Sequence, residues 1–199
     1  MKATIAAVLL DPEARNENPG NSAGRLREPA QLFTGMVRAL NGHTDGNDFA
    51  YWWGASMQEH VFRPPSVFNF YPGDFPLAQA GLVAPEFGIH NVATALGRLN
   101  YISYITYWSC STADASVPNA IGTCVNLVPF EADAGDPTKL VDRISMLALG
   151  QQLPSAARAE VIKAVSAFTV YTGGPTYLAQ RVKSAVYLIF GSPYYQVIR

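Results

Sequence analysis

The sequence predicts an all-α fold, an irregular bundle of about six or seven helices with one long, ordered loop rich in proline and aromatic residues. Three observations carry this prediction. Apolar residues recur at intervals of three and four in six separate segments. Proline stands at or just before the start of several of these segments, where its fixed φ and missing N–H suit a first helical turn. Strand-like alternation is nowhere sustained. The 199 residues suffice for a single domain, 1–199, around one hydrophobic core.

The first helix is expected over residues 2–10, with Ile5, Val8 and Leu9 on one face. Met1-Lys2 followed by the apolar run Ala3–Leu10 superficially suggests a signal peptide. The run ends at Asp11-Pro12 without a small-x-small cleavage site, which favours an amphipathic helix. Residues 28–41 form the clearest stripe: Leu32, Phe33, Met36, Val37 and Leu40 follow Pro29, and Asn41-Gly42 stops the helix. Asp48 is placed to cap a short aromatic helix through Tyr51, Trp52 and Trp53. Pro64, Pro65, Pro72, Gly73 and Pro76 then break the chain among Phe62, Phe68, Phe70, Tyr71 and Phe75. A loop this long and aromatic is expected to pack down with its rings buried.

Pro85 reads as the start of the longest helix, 85–108, with Val92, Leu96, Leu99, Ile102 and Ile105 in register. Residues 109–136 read as irregular. Asp136-Pro137 starts a helix carrying Leu140, Val141, Ile144 and Leu147. Pro154-Ser155 precedes another, with Val161, Ile162, Val165 and Phe168, that runs to Gly173-Gly174. Pro175 opens the next, with Leu178, Val182, Ala185, Val186 and Ile189, and Gly191-Ser192-Pro193 ends it.

Composition narrows the function. Hydrophobic residues make up 49% and charged residues 15%, which excludes a disordered tail and a coiled coil. The net charge is −1 and no basic stripe exists, so no nucleic-acid partner is expected. No apolar run approaches the roughly 20 residues of a membrane span. No nucleophile elbow, phosphate loop, dinucleotide fingerprint or zinc-protease helix is present, and no cofactor or metal is expected.

The three histidines can be weighed singly. On a helix begun at Pro85, Glu86 and His90 share one face at i, i+4. Such a pair can serve as an oriented general base, with Arg63 as an electrostatic clamp; equally, Glu86 favours the helix dipole and His90 is a core residue. His60 reads as a surface histidine at a helix end. His43 lies in a polar turn whose Asp45, Asn47 and Asp48 miss the EF-hand spacing, and a second acidic loop holds Glu131, Asp133 and Asp136. Ordinary solvated loops explain both. An arginine buried against the aromatic loop needs a carboxylate, and Glu28, Glu59 and Glu86 are the candidates. Trp52, Trp53, Phe68, Phe70 and Tyr71 are either core packing or a platform for a glycan-like or apolar ligand. Cys110 and Cys124 are either two inert buried thiols or a disulfide closing a loop.

Several blocks are together specific. They are Leu26-Arg27-Glu28-Pro29 with Arg38-Ala39-Leu40, Met57-Gln58 followed by Phe62, and the run Arg63-Pro64-Pro65-Ser66-Val67-Phe68-Asn69-Phe70-Tyr71. Leu82-Val83-Ala84-Pro85-Glu86-Phe87 with Asn91, and Ser192-Pro193-Tyr194-Tyr195-Gln196, complete the set. In this order they resemble the C-terminal part of the bacterial domain of unknown function numbered eighteen hundred. Members of that family are typically longer, and Leu9–Arg15 looks like an interior segment, so the resemblance implies the C-terminal portion of a longer domain. It also implies an exported protein, periplasmic or extracellular, which suits a Cys110–Cys124 disulfide. Residues 109–136 have no place in the family's pattern, and the resemblance carries no activity.

The expectation is therefore a helical module of an exported bacterial protein, binding a glycan-like or apolar ligand through its aromatic loop. The alternatives are a hydrolase built on Glu86, His90 and Arg63, and a structural or assembly role. Whether the chain is an enzyme stays open at this point. The expected partners are the missing N-terminal half of the domain, or a second copy by self-association.

Overall fold

The computed structural model describes residues 1–12, 24–78 and 80–198. Helix α1 (Lys2–Leu9) forms, but none of its residues is buried, and Ile5, Val8 and Leu9 face solvent. Leu9–Arg15 extends past Pro12, outside the described residues. After β1 (Arg25–Leu26) comes α2 (Pro29–Ala39), with Pro29 in its first turn and the Gln31 side chain accepting the Glu28 N–H at 3.3 Å. All five residues of its predicted stripe are buried, and the chain turns at Asn41 in the left-handed region, φ 51°. Strand β2 (His43–Thr44) leads to a turn of π-helix, Phe49–Trp53, continued by α3 (Gly54–Ser56). Asp48 precedes that turn without a side-chain capping bond.

The aromatic loop ends in the hairpin of β3 (Pro76–Leu77) and β4 (Leu82–Val83). Here the structure corrects the expected helix over 85–108. Pro85–Ile89 is a 3₁₀ turn, His90 is extended at φ −106° and ψ 105°, and α4 runs only from Val92 to Trp108. The cause is local: the Asn91 side chain accepts the N–H groups of Ala93 and Thr94, and Thr94 Oγ1 accepts the Asn91 N–H. This reciprocal cap makes Asn91 the start of α4. Residues 109–127 are largely irregular. They hold β5 (Thr123–Cys124) and a disulfide between Cys110 and Cys124.

Short helix α5 (Val128–Glu131) precedes α6 (Pro137–Leu149), which Asp136 caps through the Thr138 and Lys139 N–H groups. Helix α7 (Ser155–Ser166) stops earlier than expected, because Thr169 caps a separate turn, α8 (Val170–Gly173). A 3₁₀ turn at Gly174–Thr176 leads into α9 (Tyr177–Phe190), then α10 (Pro193–Gln196) and β6 (Val197–Ile198). These breaks raise the number of helices above that expected.

Helix α9 is the hub and packs on α4, α6 and α7, while α2 lies against α6. The core gathers Leu32, Met36, Ile102, Leu140, Ile144 and Ile189, all with no exposed surface. The fold is not strictly all-α: β1–β6, β2–β5 and β3–β4 form three antiparallel pairs of two residues each. No helix among the described residues is long and apolar enough to cross a membrane.

Candidate functional site

The aromatic loop is anchored at its two ends and projects between them. At the near end Gly54 permits a tight return: an added Cβ would lie 2.5 Å from Glu59 O. Gln58 and Phe62 both adopt positive φ, 62° and 64°, an unusual conformation for side chains of their size. At the far end the Tyr71 hydroxyl donates to Glu28 Oε1 at 2.6 Å, and Gly88 lies against Tyr71 and Phe75.

Between the anchors, Ser66–Asn69 closes a turn on itself. Asn69 N–H donates to Ser66 O at 3.2 Å, and Phe68 N–H to Ser66 Oγ at 3.1 Å. Val67 and Phe68 form the apex and are 94% and 78% exposed. Phe62 is 94% exposed, and Tyr51 and Trp52 also face solvent. This corrects the expectation that the loop buries its rings. The turn satisfies its own backbone groups locally, so its apex has no need of the core, and only Phe70, Tyr71 and Phe75 tuck halfway in. Trp53 is separate from this surface, packed on Tyr101 and Tyr104 with ring centroids 5.4 and 5.2 Å away.

Two clefts adjoin the turn. One, about 480 Å³, is an apolar cup lined by Pro65, Phe68, Phe70, Tyr71 and Pro72. The other, about 440 Å³, is more polar, with Gln58, His60 and Arg63. They share Pro65 and Phe70 as lining residues, and one is largely aromatic where the other is polar.

No hydrogen bond or ion pair joins Glu86, His90 and Arg63 to one another among the described residues. Glu86 is buried in the 3₁₀ turn and pairs with Arg25 Nη1 at 3.5 Å. His90, beyond the end of that turn, is half-buried and meets the Phe87 ring edge-on at 5.4 Å. Its Nδ1 is buried without a hydrogen-bond partner among the described residues. Burial, with help from Arg98, holds its pKa below the usual histidine range, so the ring is neutral near pH 7. Arg63 is exposed, over the Tyr51 ring at 5.8 Å.

What the sequence reading missed lies beneath the loop. The arginine that needs a carboxylate is Arg98, 2% exposed on the inner face of α4, not Arg63. Its Nη1 donates to Arg27 O at 2.6 Å and Gln196 Oε1 at 3.2 Å, while Nε and Nη2 have no hydrogen-bond partner among the described residues. Glu59, 4% exposed, accepts the Ala30 N–H at 3.0 Å. Burial pushes its carboxyl up to about 7; neighbouring Glu28 adds to the rise, and Arg98 opposes it. Burial also pulls Arg98 down to about 10, against the attraction of Glu59. Glu28, Glu59 and Glu86 all act on Tyr71, whose hydroxyl burial and the Glu28 bond push well above the usual range. The available signal was Arg98 on the face Thr94, Tyr101, Ile102 and Ile105, a single cation within a buried stripe.

The family described as "Protein of unknown function (DUF1800)" matches residues 1–197. The chain belongs to the DUF1800 family. No curated protein and no solved structure matches it. In this DUF1800 protein, the blocks that carried the resemblance meet around the buried cluster: Arg27 N–H donates to Gln196 O at 2.7 Å, and Tyr71 reaches Glu28.

The two acidic segments have structural roles. Asp45 Oδ2 accepts the N–H groups of Ile121 and Gly122, both at 2.8 Å, and docks its loop on residues 109–127. Asp133 pairs with Lys139 and Arg143, and Asp136 caps α6. Among the described residues no group of three or more His, Cys, Asp or Glu is placed to hold a metal ion.

Proposed function

We propose that this DUF1800 protein is a binding module that holds a glycan-like ligand in the groove formed by the two adjoining clefts. The observation that carries the reading is Phe68, 78% exposed at the apex of a self-closed turn. Leaving such a ring in water forgoes roughly 1.5–3 kcal/mol of burial. A sugar offers what the groove lacks, an apolar C–H face for Phe68 and Phe70 and hydroxyls for Gln58, His60 and Arg63. The disulfide and the export implied by the family resemblance fit a ligand met outside the cytoplasm.

The hydrolase reading draws less support. Glu86 is engaged by Arg25, and no hydrogen bond or ion pair joins it to His90 or Arg63 among the described residues. Affinity electrophoresis against a panel of soluble polysaccharides tests the proposal. At least one should retard the wild-type chain, and Phe68→Ala should relieve the retardation while leaving the thermal midpoint within about 1 °C. Equal retardation of the variant, or none by any glycan, overturns it. Concentration-dependent light scattering that Phe68→Ala abolishes would put a second copy of the chain on this surface instead.

A further inference from the structure

A third cleft, of about 430 Å³, shares no lining residue with the two beside the aromatic turn. Its polar lining is Arg27, Gln151, Gln152 and Tyr194; Leu149 and Val197 contribute apolar wall. Among the described residues no acidic side chain and no second cation lines it. Sequence reading singled out Arg27 and Tyr194 only as parts of family blocks, and the aromatic groove uses neither.

Arg27 is held in a fixed pose. Its Nε donates to Tyr195 O at 2.9 Å, and its Cζ sits 4.3 Å from the centre of the Tyr195 ring. Tyr195 is 1% exposed, and its hydroxyl donates to Leu32 O at 2.9 Å, so the guanidinium rests on a rigid surface. Neither terminal nitrogen of Arg27 has a carboxylate or other acceptor among the described residues. Pro154 closes one wall at the N-terminus of α7, whose first turn holds no acidic residue and no side-chain cap. The helix dipole therefore adds to the positive potential of Arg27.

We propose that this cleft binds the carboxylate of a small organic acid. The planar fork of an arginine matches a carboxylate in two parallel hydrogen bonds. A guanidinium already fixed by stacking loses little freedom on binding. One cation suits a monoanion, the amides and the Tyr194 hydroxyl suit oxygen atoms beside it, and Leu149 and Val197 cover an apolar body.

The test is a ¹H–¹⁵N shift titration with phenylacetate, its uncharged analogue phenylacetamide, and phenyl phosphate. Phenylacetate should move the amides of Gln151, Gln152 and Tyr194, and phenylacetamide should bind at least tenfold more weakly. Arg27→Gln should weaken phenylacetate binding at least tenfold. Because that variant also removes the stack on Tyr195, Gln152→Glu is the control for folding. Gln152 is exposed, and a carboxylate there should repel the ligand without disturbing the core. The proposal is overturned if phenylacetate moves nothing up to about 10 mM. Equal binding of phenylacetamide, unchanged binding to Gln152→Glu, or tighter binding of phenyl phosphate also overturns it.

Discussion

Replacing Glu59 by glutamine should change how stability depends on pH. Glu59 is buried, and its carboxyl titrates at about 7 against an ordinary value of 4.5. Between those pH values the folded chain holds a proton that the unfolded chain has released. Stability from this group is therefore full below pH 4.5, falls as pH rises through that window, and is level above it. At about 1.4 kcal/mol per pH unit, the rise from 4.5 to about 7 corresponds to ~3 kcal/mol lost by pH 8. His90 opposes this trend. Its lowered pKa makes stability grow as pH rises toward 6.5, and Asp48, raised by burial and by Asp45, acts in the same sense as Glu59. The wild-type curve alone is thus ambiguous, whereas its difference from Glu59→Gln cancels the shared groups. Urea unfolding at pH 5 and pH 8 gives that difference. Between the two conditions the variant should gain ~2.5 kcal/mol relative to wild type, since about 0.8 kcal/mol is already lost at pH 5. A difference that stays constant with pH would refute the reasoning, because Glu59 would then titrate alike in the folded and unfolded chains.

Three further outcomes follow from the same structure. Arg98→Met should cost about 1–3 kcal/mol, because it leaves the buried acceptors Arg27 O and Gln196 Oε1 without a donor, whereas Arg63→Met should cost under about 0.5 kcal/mol; paired urea titrations compare them. Reducing Cys110–Cys124, which spans 14 residues, should lower stability by about 3 kcal/mol in the chain-entropy estimate while leaving far-ultraviolet circular dichroism helical. Gly54→Ala should destabilise by about 1–3 kcal/mol in a thermal melt, since the new Cβ meets Glu59 O at 2.5 Å and Phe49 O at 3.0 Å, both backbone atoms.

The helices were legible where a stripe and a start signal coincided. Pro29 with Leu32, Phe33, Met36 and Val37, and Asp136-Pro137 with Leu140, Val141 and Ile144, are buried as their spacing requires. The stripe assigned to 85–108 misled. Val92 and Leu96 are exposed at 81% and 55%, and the buried face runs through Thr94, Arg98, Tyr101, Ile102 and Ile105. Two polar residues on that face hid it from a reading tuned to apolar periodicity. The sequence reading took Pro85 as the helix start and did not consider Asn91 and Thr94, whose reciprocal cap begins the helix; Pro85 opens only a 3₁₀ turn. The loop was recognised, and its exposure was not. Aromatic content records how much ring surface a segment carries, while the Ser66–Asn69 hydrogen bonds decide where that surface points.

The pairing of β1 with β6 bears on how the chain reaches its native state. Arg27 and Tyr195 meet across 168 residues, Tyr195 and Leu32 across 163, and Arg98 and Gln196 across 98. Contacts this far apart in sequence carry a large loop-closure entropy and slow the final ordering step. They also set its timing during synthesis. Until residues 193–198 have left the ribosome, Arg98 lacks its Gln196 acceptor and α2 lacks the Tyr195 ring against which Gly35 packs. The ties that Tyr195 and Gln196 make to α2 and α4 therefore form only once residues 193–198 have joined the fold.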